Sequence, residues 1–408
     1  MTKDFIVSSP GKVILFGEHA VVHGSPAIAA AVSLRTYTLI KDSGDGSELT
    51  LDFADVGFYK TWTINDLPWD EMDKIALQTN ACRVNSLEEI SEKLNHHVVD
   101  ILNEKCLGDV TDTFQHAAAL AFLYLYMHLC SRDTPGRMFI TKSTLPVGAG
   151  LGSSACFSVC LSAGLLRLGG HICSPSDKAD ESVTDLINAW SFLGECCIHG
   201  NPSGIDNAVA TKGGAVLFQR FHTVVPISDF PVIRLVLTNT GVPRRTLEMV
   251  ANVAKLKDRL PAVINPIITA IENVTREAHA ALVEHESPVE RLSPLVRINN
   301  ALLVALGVSH PSLDKIRTVA DSIGLGETKL TGAGGGGCAI TLVTCSEEQE
   351  QEKVKQLRQQ LPEGFEVFDT LLGGPGVGIT EDCQGLPLDK FGKMDNSDFN
   401  KLQWGYWS

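Results

Sequence analysis

No run of apolar residues in this 408-residue chain is long enough to cross a membrane as a helix. The longest, residues 117–127, stops after eleven at His128. A helical span needs about 20, so the run reads as a buried helix. The first ten residues lack the basic start and apolar stretch of a signal peptide. A basic excess is also missing. The net charge of −14 argues against a general nucleic-acid or anionic-membrane binder. It leaves room for an anionic small substrate, because a few nearby Lys and Arg residues outweigh distant, screened charges. The eleven cysteines contain no CxxC pair. They fit reduced thiols in a cytoplasmic protein better than a disulfide framework, with a peroxisomal location left open.

What is present is ordinary globular material: 44% hydrophobic and 20% charged residues, enough to build a packed core. At roughly 150 residues per domain, the length favours two domains, or three. Residues 5–7 and 13–15 read as short strands around a Ser-Ser-Pro-Gly turn, and 28–40 ends in β-branched alternation. Residues 41–112 are polar and irregular, with helices expected near 86–94 and 98–106. A helix is expected over 115–130, a strand over 137–142 and a small-residue helix over 154–166. Residues 183–197 have helical spacing, with Leu186, Trp190 and Leu193 on one face. Strands over 214–221 and 232–237 precede helices over 246–260, 264–285 and 296–306. Pro226 and Pro231 bracket a polar stretch, which suggests a division into 1–225 and 226–408. The irregular alternation favours an α+β fold over a doubly wound α/β sheet.

The sharpest motif is Leu145-Pro-Val-Gly148-Ala149-Gly150-Leu151-Gly152-Ser153-Ser154-Ala155. Its glycines let backbone N–H groups converge on an anion, and the serines open a helix whose N-terminus favours phosphate. It has no Walker lysine, so it is not a P-loop. A plain glycine turn with a serine N-cap is the simpler alternative. A second glycine cluster, 332–337, satisfies GxGxxG, but β-branched residues follow it where a dinucleotide site needs a helix. A third lies at 373–378.

Three segments, in this order, carry a resemblance to a known family. Pro10-Gly-Lys12-Val-Ile-Leu-Phe-Gly17-Glu18-His19-Ala-Val-Val-His23-Gly24 resembles the first motif of the GHMP kinases, residues 145–155 the second, and Lys329-Leu-Thr-Gly332-Ala-Gly334-Gly-Gly-Gly337-Cys338 the third. The first block, together with His199-Gly-Asn-Pro-Ser-Gly-Ile-Asp206-Asn207, is similar to the mevalonate kinase family in particular. The similarity is dense over 5–40, 114–220, 233–250 and 299–345. It is thin over 41–112 and absent after about 379.

The resemblance implies a two-domain α+β GHMP kinase fold with its active site in the cleft between domains. It implies transfer of the ATP γ-phosphoryl group to (R)-mevalonate, giving 5-phosphomevalonate and ADP. Asp206 is then the base or hydroxyl-orienting group. An Asp stabilised at a helix start is the alternative for that residue taken alone. Lys12 is its partner, keeping it ionised and lowering the pKa of the bound hydroxyl. ATP contacts carried over are Lys12, Asp55, Ser143, Gly148, Ala149, Gly150, Leu151, Gly152, Ser153 and Ser154. Asp55 stands where family members commonly carry Asn. Substrate-side residues are Glu18, His19, Arg244 and Thr246. Arg244 offers a fork for the carboxylate, while Arg245 and Thr246 are open to plainer readings as a solvated cation and an N-cap.

Mg²⁺ is expected on Ser154 and Glu195, with Glu195 at the end of a helix. Zinc on Cys196, Cys197 and His199 is disfavoured by the geometry of adjacent cysteines. The resemblance also implies a homodimer and inhibition by prenyl diphosphates that compete with ATP. Leu120, Phe122 and Leu123 would then form an apolar wall for the prenyl tail. The rival readings are a phosphomevalonate or galactose kinase, or a non-catalytic ligand sensor. A sugar kinase should carry its own N-terminal sugar-binding signature, and none is recognised here.

Overall fold

The computed structural model describes residues 3–44, 46–79, 93–146, 148–176, 180–219, 224–243, 246–284 and 287–408. Its framework is one mixed sheet of thirteen strands among the described residues. The long strand Ala27–Asp42 holds it together, because it is buried along nearly its whole length. It pairs with Phe5–Phe16, Arg137–Ser143, Ala215–Phe218 and, at Val32, with Glu366–Leu372. Glu366–Leu372 continues to Ile233–Asn239, and that strand to Cys338–Val343. Hydrogen bonding therefore runs unbroken from the N-terminal half into the C-terminal half.

Phe5–Phe16 is a single strand, not two strands around a turn. The Pro10-Gly11 pair is absorbed as an irregularity, with the register shifting between Pro10 and Lys12. Proline has no N–H to give a ladder and is tolerated at such a bulge. Residues 41–112 also hold more order than their polarity suggested. Glu48–Phe53 and Phe58–Thr63 form a hairpin, and its first strand runs parallel to Arg137–Ser143. Helix His96–Cys106 matches its expectation. The helix expected at 86–94 falls largely outside the described residues.

Helices Thr113–Leu129, Ser153–Leu168 and Glu181–His199 pack on the first half of the sheet. From Ala118 onward the first of these is buried on nearly every side and correspondingly apolar. Phe122 and Leu123 are wholly buried and Leu120 is 7% exposed, with Phe122 edge-on to Phe139 at 4.9 Å. The apolar wall expected from these residues is therefore interior core. In the second half, helices Thr246–Arg259, Pro261–Glu284, Pro288–Ala305 and Pro311–Ile323 surround a second core that includes Ile264, Ile271, Leu303, Ile316 and Leu330.

The tail returns to the first half. Gly378–Thr380 pairs antiparallel with Phe5–Phe16. Phe391, Met394 and Phe399 cover Ile6, Tyr37 and Leu39, with Phe399 stacked on Tyr37 at 3.6 Å. The 373–378 glycines mark a tight crossing. A Cβ on Gly376 would lie 2.0 Å from the Thr211 carbonyl. The buried Arg35 guanidinium donates to the Pro375 carbonyl at 2.9 Å, fastening the crossing. No described helix is long and apolar enough to cross a membrane.

Candidate active site

Three distant segments converge at Lys12. Its backbone N–H donates to the Leu151 carbonyl at 2.8 Å, so the first strand and the glycine loop are joined directly. Its ammonium lies 3.2 Å from Asp206 Oδ1. Asp206 sits in the first turn of helix Ile205–Lys212, whose N-cap Gly204 has φ +76°, a value that costs glycine little. Gly152 lies over this pair. A Cβ there would be 3.3 Å from both Asp206 Oδ2 and Lys12 Cγ. Lys12 is 12% exposed and Asp206 33%, so the carboxylate is open to an incoming group while the ammonium is largely enclosed.

Helix Ser153–Leu168 starts at the loop as expected, its N-cap Gly152 at φ +77°. The Ser154 hydroxyl is 3.1 Å from His199 Nε2. Glu195 lies inside helix Glu181–His199, one turn before its end. It is 3% exposed, and its Oε1 has no partner. Burial pushes its pKa up to about 7. The Ser154 hydroxyl and Lys12 oppose that rise, and the Asp206 charge adds to it. A buried carboxylate oxygen without a partner, beside a serine hydroxyl and an anion-binding loop, fits a hard divalent cation.

Glu18 meets a different fate from the one expected of a substrate contact. Both of its oxygens are engaged. Lys329 Nζ donates to Oε1, and Asn299 Nδ2 donates to Oε2 at 3.0 Å. Glu18 is 3% exposed and Lys329 fully buried. Burial pushes the Lys329 pKa down, against the pull of Glu18. His19 stands beside this pair at φ +61°, a strained value for a non-glycine residue. Its Nε2 is 2.9 Å from the Ala333 carbonyl. A carbonyl only accepts, so Nε2 carries the proton. Burial holds the ring's pKa below its usual value, which favours the neutral tautomer in which Nδ1 is an acceptor. Nδ1 is buried and has no partner.

Asp55 and Ser143 are brought together: Asp55 Oδ2 accepts from the Ser143 N–H at 2.7 Å. They line a cavity of about 450 Å³ with Thr144, Leu145, Pro146, Glu366 and Phe368. Thr246 opens helix Thr246–Arg259 and is exposed. Arg244 and Arg245 lie outside the described residues. The strap before them is anchored to the third glycine motif through Thr240 and Val242, which bond to Gly337. Lys329, Asn299, Glu366 and Phe368 were not singled out from sequence, and His199 was weighed there only as a disfavoured zinc ligand and as the start of the 199–207 block. Lys329 was visible only as the residue that opens the third motif.

Comparison with known proteins adds three kinds of finding. Family models match as GHMP kinases N terminal domain over residues 116–214 and GHMP kinases C terminal over 278–367. A third model, the galactokinase galactose-binding signature, matches residues 1–42, so the expectation that no sugar-kinase signature would be found is corrected. Mevalonate kinase of Candida albicans is 45% identical, covering 97% of this chain and 93% of that protein. Mevalonate kinase of Homo sapiens is 39% identical, covering 93% and 96%. A crystal structure of L. major mevalonate kinase in complex with R-mevalonate superposes with a TM-score of 0.66 at 25% identity. That alignment covers 92% of this chain and 97% of the other.

Proposed function

The chain belongs to the mevalonate kinase family of the GHMP kinases, and from this we propose that Lys12 and Asp206 carry phosphoryl transfer from ATP to the 5-hydroxyl of (R)-mevalonate. The observation that carries the reading is the 3.2 Å Lys12–Asp206 pair beneath Gly152 of the phosphate loop. Phosphoryl transfer asks little of a protein beyond positioning and charge stabilisation. Backbone amides of residues 148–154 cradle the β- and γ-phosphates. Ser154 and Glu195 would hold Mg²⁺, which when bound would neutralise phosphate charge. The Lys12 ammonium lowers the pKa of the acceptor hydroxyl. Asp206 orients that hydroxyl and accepts its proton as the new O–P bond forms and the bond to ADP breaks.

On the acceptor side, His19 Nδ1 receives a hydrogen bond from a substrate hydroxyl, and Arg244 pairs with the carboxylate. The cavity beside Asp55 and Ser143 takes the adenine. A prenyl diphosphate would compete with ATP for the same loop amides, held by its diphosphate without help from Leu120, Phe122 or Leu123.

The match of residues 1–42 to a galactose-binding signature favours one rival, a sugar acceptor. ADP release measured with mevalonate, phosphomevalonate, galactose and homoserine separates the two. Turnover confined to mevalonate is expected. Comparable kcat/KM on galactose would replace this reading with the rival.

A further inference from the structure

The Glu18–Lys329 pair is an odd way to gain stability. Removing two charges from water costs several kcal/mol per ion, and apolar residues of similar volume often serve a core as well or better. What an ion pair supplies and apolar packing does not is direction. Here the direction is spent on one turn. Lys329 comes from strand Gly326–Leu330 and Asn299 from helix Pro288–Ala305. Both reach across to Glu18 in the first motif, more than 280 residues away in sequence. Lys329 Nζ is itself fixed by a second bond, to the Leu330 carbonyl at 2.8 Å.

Neighbouring ties run the same way. The Thr331 hydroxyl donates to the Ile14 carbonyl at 2.8 Å, and the His19 ring donates to the Ala333 carbonyl. On the other side of the turn, a Cβ on Gly17 would lie 2.5 Å from the Pro26 carbonyl, so this backbone has no slack. His19 would not keep φ +61° without something to hold it there.

We propose that Lys329 and Asn299 are positioning residues for acceptor binding: they grip the Glu18 carboxylate, and through it hold His19 so that its unpartnered Nδ1 is presented to the hydroxyl of the substrate. Glu18 is then an internal strut and no substrate ligand, and the third glycine motif serves the acceptor through the first motif. This rests on the reading above that His19 meets the acceptor.

The test compares Lys329→Met, Asn299→Ala and the paired replacement Glu18→Gln/Lys329→Met in the full-length protein. Melting temperature and separate KM values for mevalonate and ATP are read for each. Lys329→Met leaves a buried carboxylate uncompensated and should lower the melting temperature. The paired replacement removes both charges and should recover it. Mevalonate KM should stay raised about tenfold or more in both, with ATP KM within about twofold of the parent, as expected when binding is lost at one site only. Should Lys329→Met fail to fold, the paired replacement and Asn299→Ala carry the comparison. A paired variant that recovers both stability and mevalonate KM would reduce the pair to a stabilising contact and overturn the proposal, as would KM values that rise together. The underlying reading fails separately: His19→Ala with an unchanged mevalonate KM would remove His19 from the acceptor site.

Discussion

Lys12 Nζ lies 3.2 Å from Asp206 Oδ1, and the α-carbon of Gly152 faces the space above the two. The phosphate loop, the first strand and the short helix Ile205–Lys212 thus meet at one point. A carboxylate, a cation and the loop amides are thereby neighbours in one place.

Gly152→Ala tests that convergence. The new methyl would sit 3.3 Å from Asp206 Oδ2 on a residue at φ +77°, so both contact and backbone are strained. Displacement of about 1 Å at a reacting centre can cost on the order of 10²-fold. We expect kcat to fall by at least about tenfold with the fold intact by circular dichroism. Unchanged kcat would mean that the loop does not close over the pair.

Glu195 should be needed for the cation. Chelation of divalent metal should abolish turnover. Glu195→Gln should weaken Mn²⁺ binding, followed by electron paramagnetic resonance with an ATP analogue present. Outer-shell changes alone typically cost about 10–100-fold in metal affinity, so a smaller effect would remove Glu195 as a ligand.

Two histidines should cost stability on the acid side. Burial lowers the folded-state pKa of His19 and of His23, the latter also facing Lys257. The unfolded chain therefore binds the proton first as pH drops. Their contribution is fully present above about 6.5 and is lost as pH falls through the folded values. Glu195, raised to about 7, acts oppositely in this window because its folded form binds the proton first, so the check is differential: between pH 7 and pH 5 the melting temperature of His19→Gln should lose less, relative to its own pH 7 value, than that of the parent. Parallel curves for variant and parent would contradict this assignment.

The tail should matter for stability and little for chemistry. Phe399 is fully buried and stacked on Tyr37. Truncating a buried Phe costs about 3–5 kcal/mol. Phe399→Ala should show that loss in urea unfolding, with both KM values near the parent's. A large change in ATP or mevalonate KM would tie the tail to the cleft.

The local turns and helix starts that bring Lys12, Gly152 and Asp206 together were legible because their signals are local. A glycine run ending in two serines marks a turn into a helix start, as found at Gly152 and Ser153, and Asn201-Pro-Ser-Gly204 leads into the helix bearing Asp206. The pairing of Glu18 with Lys329 was hidden, because no local pattern shows that a lysine 311 residues away is buried. The residues 120–123 were taken as a wall when the absence of any polar face on their helix already pointed to the interior. The hairpin at 48–63 escaped notice because its strands are only six residues each and the second buries just two of them. The tail's return to the first strand is a long-range pairing that periodicity cannot reveal.

The most direct measurement is the steady-state kcat of Asp206→Asn on mevalonate and MgATP, together with its nucleotide affinity. The amide keeps the shape and removes the charge that Lys12 faces at 3.2 Å. General-base contributions are typically about 10²–10⁴-fold. A loss of that size with ATP affinity retained is the expected result. Near-parental turnover in the folded variant would contradict phosphoryl transfer through this pair.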